Sequence, residues 1–138
     1  MNESITWQKA LVRRFTAMLD SGDLAEFDCL VTPDFTLKTP MLQSPMSRAA
    51  VRSAIGEVCE CFSESTHVID ALVQEGDVVV ARYAISGRQV ADYQGIPSTG
   101  ARFTIAGVSI YRFAEGLICE EWELVDRSSL VKQLVAKP

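Results

Sequence analysis

The fold is decided by residues 95–134, which read GIPSTGARFTIAGVSIYRFAEGLICEEWELVDRSSLVKQL. The pattern predicts a loop, a strand, a tight turn, a second antiparallel strand and a short terminal helix. Because side chains alternate between the two faces of a strand, we expect Asp126 on the same face as Trp122 and Ile118. Such an acid is either a charge at the rim or a carboxyl in an apolar pocket. In the pocket its pKa would rise, which makes it a candidate for proton transfer.

The composition indicates an ordinary globular protein with one domain, residues 1–138. Hydrophobic residues make up 48% of the chain and charged residues 22%, and the net charge is −5. This charge argues against nucleic acid or an anionic membrane surface as a partner. No apolar run is long enough to span a bilayer, and Met1–Ser4 does not open a secretion signal, so we expect a cytoplasmic protein.

The cysteines do not suggest a metal site. Cys29, Cys59, Cys61 and Cys119 match no zinc spacing, and His67 is the only histidine of the chain. We therefore expect four reduced and mostly packed cysteines and no bound metal.

Helical periods dominate the first part of the chain and strand patterns the second. This order predicts an α+β fold with the helices on one face of an antiparallel sheet, and the concavity between the two layers is the natural place for a pocket. The predicted elements are helices over Ile5–Leu19 and Leu24–Leu30 and from Ser47 onward, a short strand at Phe35 and Leu37, strands over Thr66–Val73, Val78–Gln89, Arg102–Phe113 and Leu117–Val125, and a helix or tail over Ser128–Val135.

Apolar side chains are expected on both faces of the sheet. Val108 and Ile110 share one face of their strand, whereas Phe103, Tyr111 and Phe113 share the other. Helices on one side leave the second apolar face open to water, which is unfavourable. We therefore expect a homodimer joined through the open sheet face.

Several short elements, in this order, resemble a known family. They are Leu72–Val79, Gly95–Gly100, Ile110–Phe113 with Gly116 and Ile118, then Glu120, Trp122, Asp126 and Gln133-Leu134. Over about Ser47 to Leu134 the chain resembles the SnoaL-like polyketide cyclases, also called predicted ester cyclases. These proteins have the nuclear-transport-factor-2-like, or ketosteroid-isomerase-like, fold.

The resemblance implies a cone-shaped, curved sheet with three helices of the N-terminal half on its concave face. It also implies an intramolecular aldol condensation that needs no metal or organic cofactor, on a small apolar carbonyl substrate. Asp126 matches the aspartate that acts as general acid/base in characterised cyclases. Gln89 occupies the position where many members have a histidine, and glutamine can donate a hydrogen bond to a carbonyl but cannot titrate.

Each residue near the end of the second strand has two possible roles. Asp126 is either the acid/base or the N-cap of the terminal helix. Trp122 either stacks on a planar substrate or belongs to the core. Glu120 is either a second acid or the partner of Arg112 across the hairpin.

Four further residues are candidates for substrate binding. His67 is either a base that lines the pocket or a structural histidine with a satisfied hydrogen bond. Tyr83 is either an oxyanion donor or a core residue. Gln89 would polarise a substrate carbonyl, and Tyr93 lies in the loop expected at the pocket mouth.

The remaining acids of the strand, Glu121 and Glu123, are expected on the opposite face, in solvent or at a subunit contact. Two other functions stay open beside the cyclase. One is a non-catalytic protein of the same fold that binds a small molecule. The other is an isomerase, dehydratase or epoxide hydrolase, because this fold carries many reactions.

Overall fold

Four helices and one six-stranded sheet are found in residues 5–136, the part of the chain that the computed structural model describes. Met1–Ser4, for which the sequence predicts no secretion signal, lies outside the described residues. The helices are α1 (Trp7–Ser21), α2 (Leu24–Leu30), α3 (Arg48–Cys61) and α4 (Arg127–Val135). The strands are β1 (Val31–Lys38), β2 (Met46–Ser47), β3 (Phe62–Glu75), β4 (Val78–Gln89), β5 (Arg102–Ala114) and β6 (Leu117–Val125).

The helices begin at short polar side chains that cap their free N–H groups. Thr6, Asp23 and Ser47 each accept a hydrogen bond from the backbone N–H three residues ahead. Helix α1 ends at Gly22, whose φ of 74° few other residues adopt. The predicted bounds of α2 are confirmed, and α3 starts at Arg48, one residue after the predicted Ser47, which is its N-cap.

The strand order is β2-β1-β6-β5-β4-β3, with β1 parallel to β6 and every other neighbouring pair antiparallel. The α+β prediction is confirmed, as are the bounds of β4 and β6. Strand β3 starts at Phe62, four residues before the predicted Thr66, and the two-residue β2 was not predicted. Among residues 5–136, no helix combines the length and the apolarity that a bilayer crossing requires.

A β-bulge in β6 decides which side chains face the helices. Ile118 pairs with Phe113, but Glu120 pairs with Arg112, so Cys119 is one extra residue without a partner. The extra residue reverses the alternation, and Ile118 and Glu121 are both buried on the inner face. The prediction that Glu121 and Glu123 lie on the face opposite the pocket is therefore wrong.

The inner face of the sheet supports two apolar clusters. In the first, Phe15 of α1 contacts Phe27 and Tyr111, with ring centroids 6.3 and 5.7 Å apart. In the second, Leu134 of α4 is buried with Phe62 at the other end of the sheet. The space between the clusters is not filled by side chains, and the cavity described below lies there.

The outer face carries an apolar row that crosses four strands. Trp122 pairs with Ile110, Ile110 with Val80, and Val80 with Val73. The predicted division of β5 is confirmed, because Phe103, Tyr111 and Phe113 are buried inside whereas Val108 and Ile110 are only partly covered. No described helix packs on this row.

A glycine in β5 makes room for an aromatic ring of the inner face. A Cβ at Gly107 would lie 2.6 Å from Cε1 of Tyr83 and 2.9 Å from Cγ1 of Val125. We predict that Gly107→Ala lowers the free energy of unfolding by about 2–3 kcal/mol in urea titrations, because the core must shift to admit the methyl group. Gly56→Ala in α3 is the control. Its nearest contact is 3.7 Å, and it should stabilise the protein by roughly 0.5–1 kcal/mol. Equal effects of both variants would contradict this account.

Candidate active site

A cavity of about 430 Å³ lies between the sheet and helices α1 and α3. This volume is within the range of small-molecule sites. Its wall is mainly apolar and includes Phe15, Ile55 and Ile105. The ionisable side chains His67, Glu121 and Glu123 also line it. The cavity thus combines an apolar interior with a few groups that can transfer protons.

Glu121 lies at the end of a buried series of hydrogen-bonded side chains. The hydroxyl of Ser109 donates to Oε2 of Glu121 at 2.9 Å, and the hydroxyl of Tyr83 lies 2.7 Å from Oγ of Ser109. Tyr111, directly opposite Glu121 in the β5–β6 pair, also hydrogen-bonds to it. These contacts fix the carboxyl within the sheet's inner face.

Burial makes the ionised form of Glu121 unfavourable. Glu121 is only 2% exposed. Loss of hydration raises its pKa to about 8, and the nearby charge of Glu123 acts in the same direction. The hydrogen bonds from Ser109 and Tyr111 offset only part of this effect. Near neutral pH the carboxyl therefore holds a proton that it can donate.

Glu123 lies two residues further along the same face and completes a pair of carboxyls. Burial also raises the pKa of Glu123. The two groups interact, so they titrate as a pair rather than independently. Burial and the carboxylates of this pair also raise the pKa of the Tyr83 hydroxyl, which therefore stays protonated as a hydrogen-bond donor.

On β3, His67 lines the cavity and is held by Asp20 from the last turn of α1. Nδ1 of His67 lies 2.6 Å from Oδ1 of Asp20, and the backbone N–H of His67 donates to Oδ2 at 3.0 Å. The His67 and Tyr83 rings are 5.5 Å apart. The structural alternative is confirmed, because the histidine has a hydrogen-bond partner, and the ring also lines the cavity. The role of His67 as a base stays a prediction.

Asp126 is the N-cap of α4. Its Oδ1 accepts the backbone N–H of Ser129 at 3.0 Å, and the side chain is exposed. Asp126 is not among the residues that line the cavity. The capping hypothesis is therefore confirmed, whereas the catalytic role stays a prediction.

Trp122 and Glu120 lie on the outer face because the bulge at Cys119 reverses the alternation. Neither residue lines the cavity, so the expectation that they share a pocket with the acid/base is not met. Glu120 forms ion pairs with Lys38 at 3.3 Å and with Arg112 at 3.8 Å. The predicted pairing of Glu120 with Arg112 is confirmed.

Gln89 and Tyr93 hold the loop between β4 and β5. Gln89 is fully buried, and its amide nitrogen donates to the carbonyls of Ala91 and Ile96 at 3.1 and 2.9 Å. Gln89 therefore stabilises the loop and does not line the cavity. Tyr93 lines the cavity as predicted, and its ring packs against Phe62 at 5.0 Å between centroids.

Sequence reasoning missed Ser109 and Asp20 and placed Glu121 and Glu123 on the wrong face. An acid in the last turn of α1 gives no sign that it will meet a histidine 47 residues away. Within residues 5–136, no three His, Cys, Asp or Glu side chains come together as a metal site. All four cysteines are free thiols.

Comparisons with known proteins identify the family of the chain. The family model for SnoaL-like polyketide cyclases matches residues 9–134. The chain is 32% identical over 130 residues to aklanonic acid methyl ester cyclase DnrD of Streptomyces peucetius, covering 90% of this chain and 88% of DnrD. It is 31% identical to the aklanonic acid methyl ester cyclase DauD of Streptomyces sp. (strain C5), covering 90% of this chain and 79% of DauD.

Among solved structures, TsrD from Streptomyces laurentii is similar to this chain with a TM-score of 0.83 and 29% identity. The match covers 99% of this chain and 100% of TsrD. The fold and the cavity define a small nuclear-transport-factor-2-like protein with a pocket between sheet and helices. Within that class, the chain belongs to the SnoaL-like polyketide cyclase family.

The raised pKa of Glu121 predicts a pH-dependent stability. Between about pH 4.5 and 8 the folded state holds a proton that the unfolded state has released, so the free energy of unfolding falls as the pH rises through this window. We predict that Glu121→Gln removes much of this fall and is more stable than the wild type at pH 9 by roughly 2–4 kcal/mol. Urea titrations at pH 5 and pH 9 measure the difference.

Glu120→Gln is the matched control, because Glu120 is the neighbouring glutamate on the outer face. It should leave the pH dependence close to that of the wild type. A Glu121→Gln variant that loses stability between pH 5 and pH 9 as steeply as the wild type would show that Glu121 titrates normally.

Proposed function

We propose that this protein catalyses an intramolecular aldol cyclisation of a neutral carbonyl substrate, with Glu121 as the general acid. The observation that carries the proposal is the position of Glu121. Its carboxyl faces an apolar cavity, is held by Ser109 and is protonated near neutral pH. A protonated acid at this place can stabilise the negative charge that develops on a carbonyl oxygen during ring closure.

The charge of the cavity favours an uncharged substrate such as an ester. Among the described residues that line the cavity, none is Lys or Arg, whereas Glu121 and Glu123 are acids. A substrate with a free carboxylate would meet carboxyls and lose its hydration without gaining a cation. The names of DnrD and DauD specify a methyl ester as their substrate. We extend this substrate class, a methyl ester, to the present protein.

In the proposed step, a carbon next to one carbonyl loses its proton to a base in the cavity and attacks a second carbonyl carbon of the same molecule. The new C–C bond closes the ring, and the electron pair of the C=O π bond moves to oxygen. Glu121 donates its proton to that oxygen. Substrate and product are isomers, so the proposed step needs no oxidant or reductant.

The activity test uses aklanonic acid methyl ester with two variants. We predict that Glu121→Gln lowers kcat by about 10²- to 10⁴-fold with little change in KM, because the amide keeps the shape of the side chain but cannot supply a carboxylic proton. Asp126→Asn should retain kcat within about threefold, since asparagine is an equally good N-cap.

The opposite pattern, with activity lost in Asp126→Asn and kept in Glu121→Gln, would assign the acid/base to Asp126 instead. Binding of the ester without turnover by the wild type would contradict the cyclase proposal and favour a binding protein of the same fold. A fluorescence titration of the same ester separates binding from turnover in each variant.

We also propose that two copies associate through the outer sheet face. Its apolar row, Trp122, Ile110, Val80 and Val73, crosses four strands. Ion pairs flank this row, including Arg82 with Asp70 at 2.8 Å, so a second copy would meet both signs of charge rather than net repulsion. An isologous dimer would bury the row against itself.

For the dimer we predict that Trp122→Glu converts the wild-type dimer to a monomer, because a charge would enter the middle of the buried row. Light scattering coupled to gel filtration at about micromolar concentration, where such interfaces are normally populated, measures the mass. Val135→Glu, which alters an exposed apolar residue of α4, should stay dimeric. A monomeric wild type would contradict the proposal.

We propose a cytoplasmic location as well. The four free thiols support it, because cysteines remain reduced in that compartment.

A further inference from the structure

We infer that His67 is the base that removes the carbon-bound proton, and that Asp20 is the residue that positions it. This inference adds a base to the proposed aldol reaction, and it rests on that proposed function for the identity of the full substrate. It assigns separate groups to the two proton transfers, with His67 on β3 and Glu121 on β6.

Asp20 holds His67 by two contacts rather than one. Its Oδ1 lies 2.6 Å from Nδ1 of the ring, and its Oδ2 accepts the backbone N–H of the same residue at 3.0 Å. The backbone bond fixes the carboxylate relative to β3, and the side-chain bond then fixes the ring. Such a doubly anchored pair orients the imidazole before any ligand enters.

The contact with Asp20 determines which ring nitrogen of His67 can accept a proton. Nδ1 carries its proton toward the carboxylate, so the lone pair of the neutral ring is on Nε2. The ring belongs to the cavity wall, and its side chain is only 10% exposed. When Nε2 takes a proton, the nearby carboxylate stabilises the imidazolium that forms, as a buried aspartate does for other catalytic histidines.

A second group is required because Glu121 cannot both hold its proton for the oxygen and accept one from carbon. Nε2 of His67 takes the proton from carbon, and the C–H electron pair becomes the C=C bond of the enolate. The enolate carbon attacks the second carbonyl carbon, and the new oxygen takes the proton from Glu121. Return of one proton from the imidazolium to the glutamate restores the starting state.

The two groups approach the cavity from strands at different positions in the sheet. Strands β3 and β6 are separated by β4 and β5, which corresponds to about 14 Å between backbones. Both side chains reach into the same cavity, so a substrate between them can meet a base on one side and an acid on the other. The Tyr83 ring lies beside His67, and its hydroxyl leads through Ser109 to Glu121.

The charged and titratable groups around His67 come from three elements besides its own strand. Asp20 and the Tyr83 ring contact it from α1 and β4. Cys59 of α3 lies near Asp20 and also lines the cavity, and burial raises the pKa of its thiol, so it stays neutral. Asp20 is therefore the charge that contacts the imidazole directly.

The first experiment measures proton abstraction without ring closure. The probe is 2-tetralone, a flat neutral ketone that has C–H bonds next to its carbonyl and cannot cyclise. In D₂O the wild type should exchange these protons for deuterium faster than buffer does, as followed by proton NMR. His67→Gln should reduce the enzymatic exchange rate by about 100-fold. Val68→Ala, at the exposed position next to His67 on β3 and outside the cavity wall, should not.

Rescue distinguishes a catalytic histidine from a structural one. In His67→Ala, added imidazole should restore part of the exchange, because the cavity can admit the free base at the vacated position. Asp20→Asn should lower kcat for exchange by about tenfold while KM stays unchanged, as expected of a positioning residue. Thermal unfolding of each variant confirms that it is folded.

Wild-type exchange no faster than buffer, or equal exchange in the wild type and His67→Gln, would overturn the assignment. Exchange that is lost in Glu123→Gln but kept in His67→Gln would also overturn it and give the base role to Glu123. These results do not depend on ring closure. Exchange through His67 in a protein that fails to cyclise aklanonic acid methyl ester would therefore uphold the base and reject only the proposed cyclisation.

Discussion

The site depends on one extra residue in the last strand. The bulge at Cys119 lets Ile118 pack in the core and still turns Glu121 and Glu123 toward the helices. Without it, strict alternation from Ile118 would place Glu120 and Trp122 inside and leave the two acids outside. The bulge therefore gives the cavity its acids and the outer face its tryptophan.

Two carboxyls in an apolar cavity are costly when ionised, and the fold supplies no lysine or arginine among the described cavity residues to offset that cost. The protein instead keeps at least part of the pair neutral, and hydroxyls from Ser109 and Tyr111 satisfy Glu121. Because no cation offsets the two carboxylates, the fold is less stable at high pH. For the same reason Glu121 keeps its proton near neutral pH. The pH dependence of stability and the proposed acid role of Glu121 thus both result from the burial of carboxyls without a cation.

Helix α1 links the core to the candidate active site. Phe15 packs on Tyr111 within the first apolar cluster, and five residues further along the helix Asp20 holds His67. Because helix and strand are fixed by the aromatic packing, the carboxylate needs no separate support to keep its position. At the other end of the sheet, Gln89 fastens the loop that brings Tyr93 to the cavity.

The order of helices and strands could be predicted from local sequence, because caps, periodicity and turn residues act over a few positions. Ser47 caps α3, and the bounds of β4 and β6 are those that their patterns indicate. The family resemblance could also be predicted from short motifs. The face of the sheet on which each side chain lies could not be predicted, since a bulge reverses the alternation without a local signal. The same kind of shift in β3 leaves Val73 exposed, although strict alternation along the strand would place it on the face of His67. Only the tertiary structure brought Asp20 to His67 and Ser109 to Glu121, because both contacts join segments whose distance is set by packing and strand register.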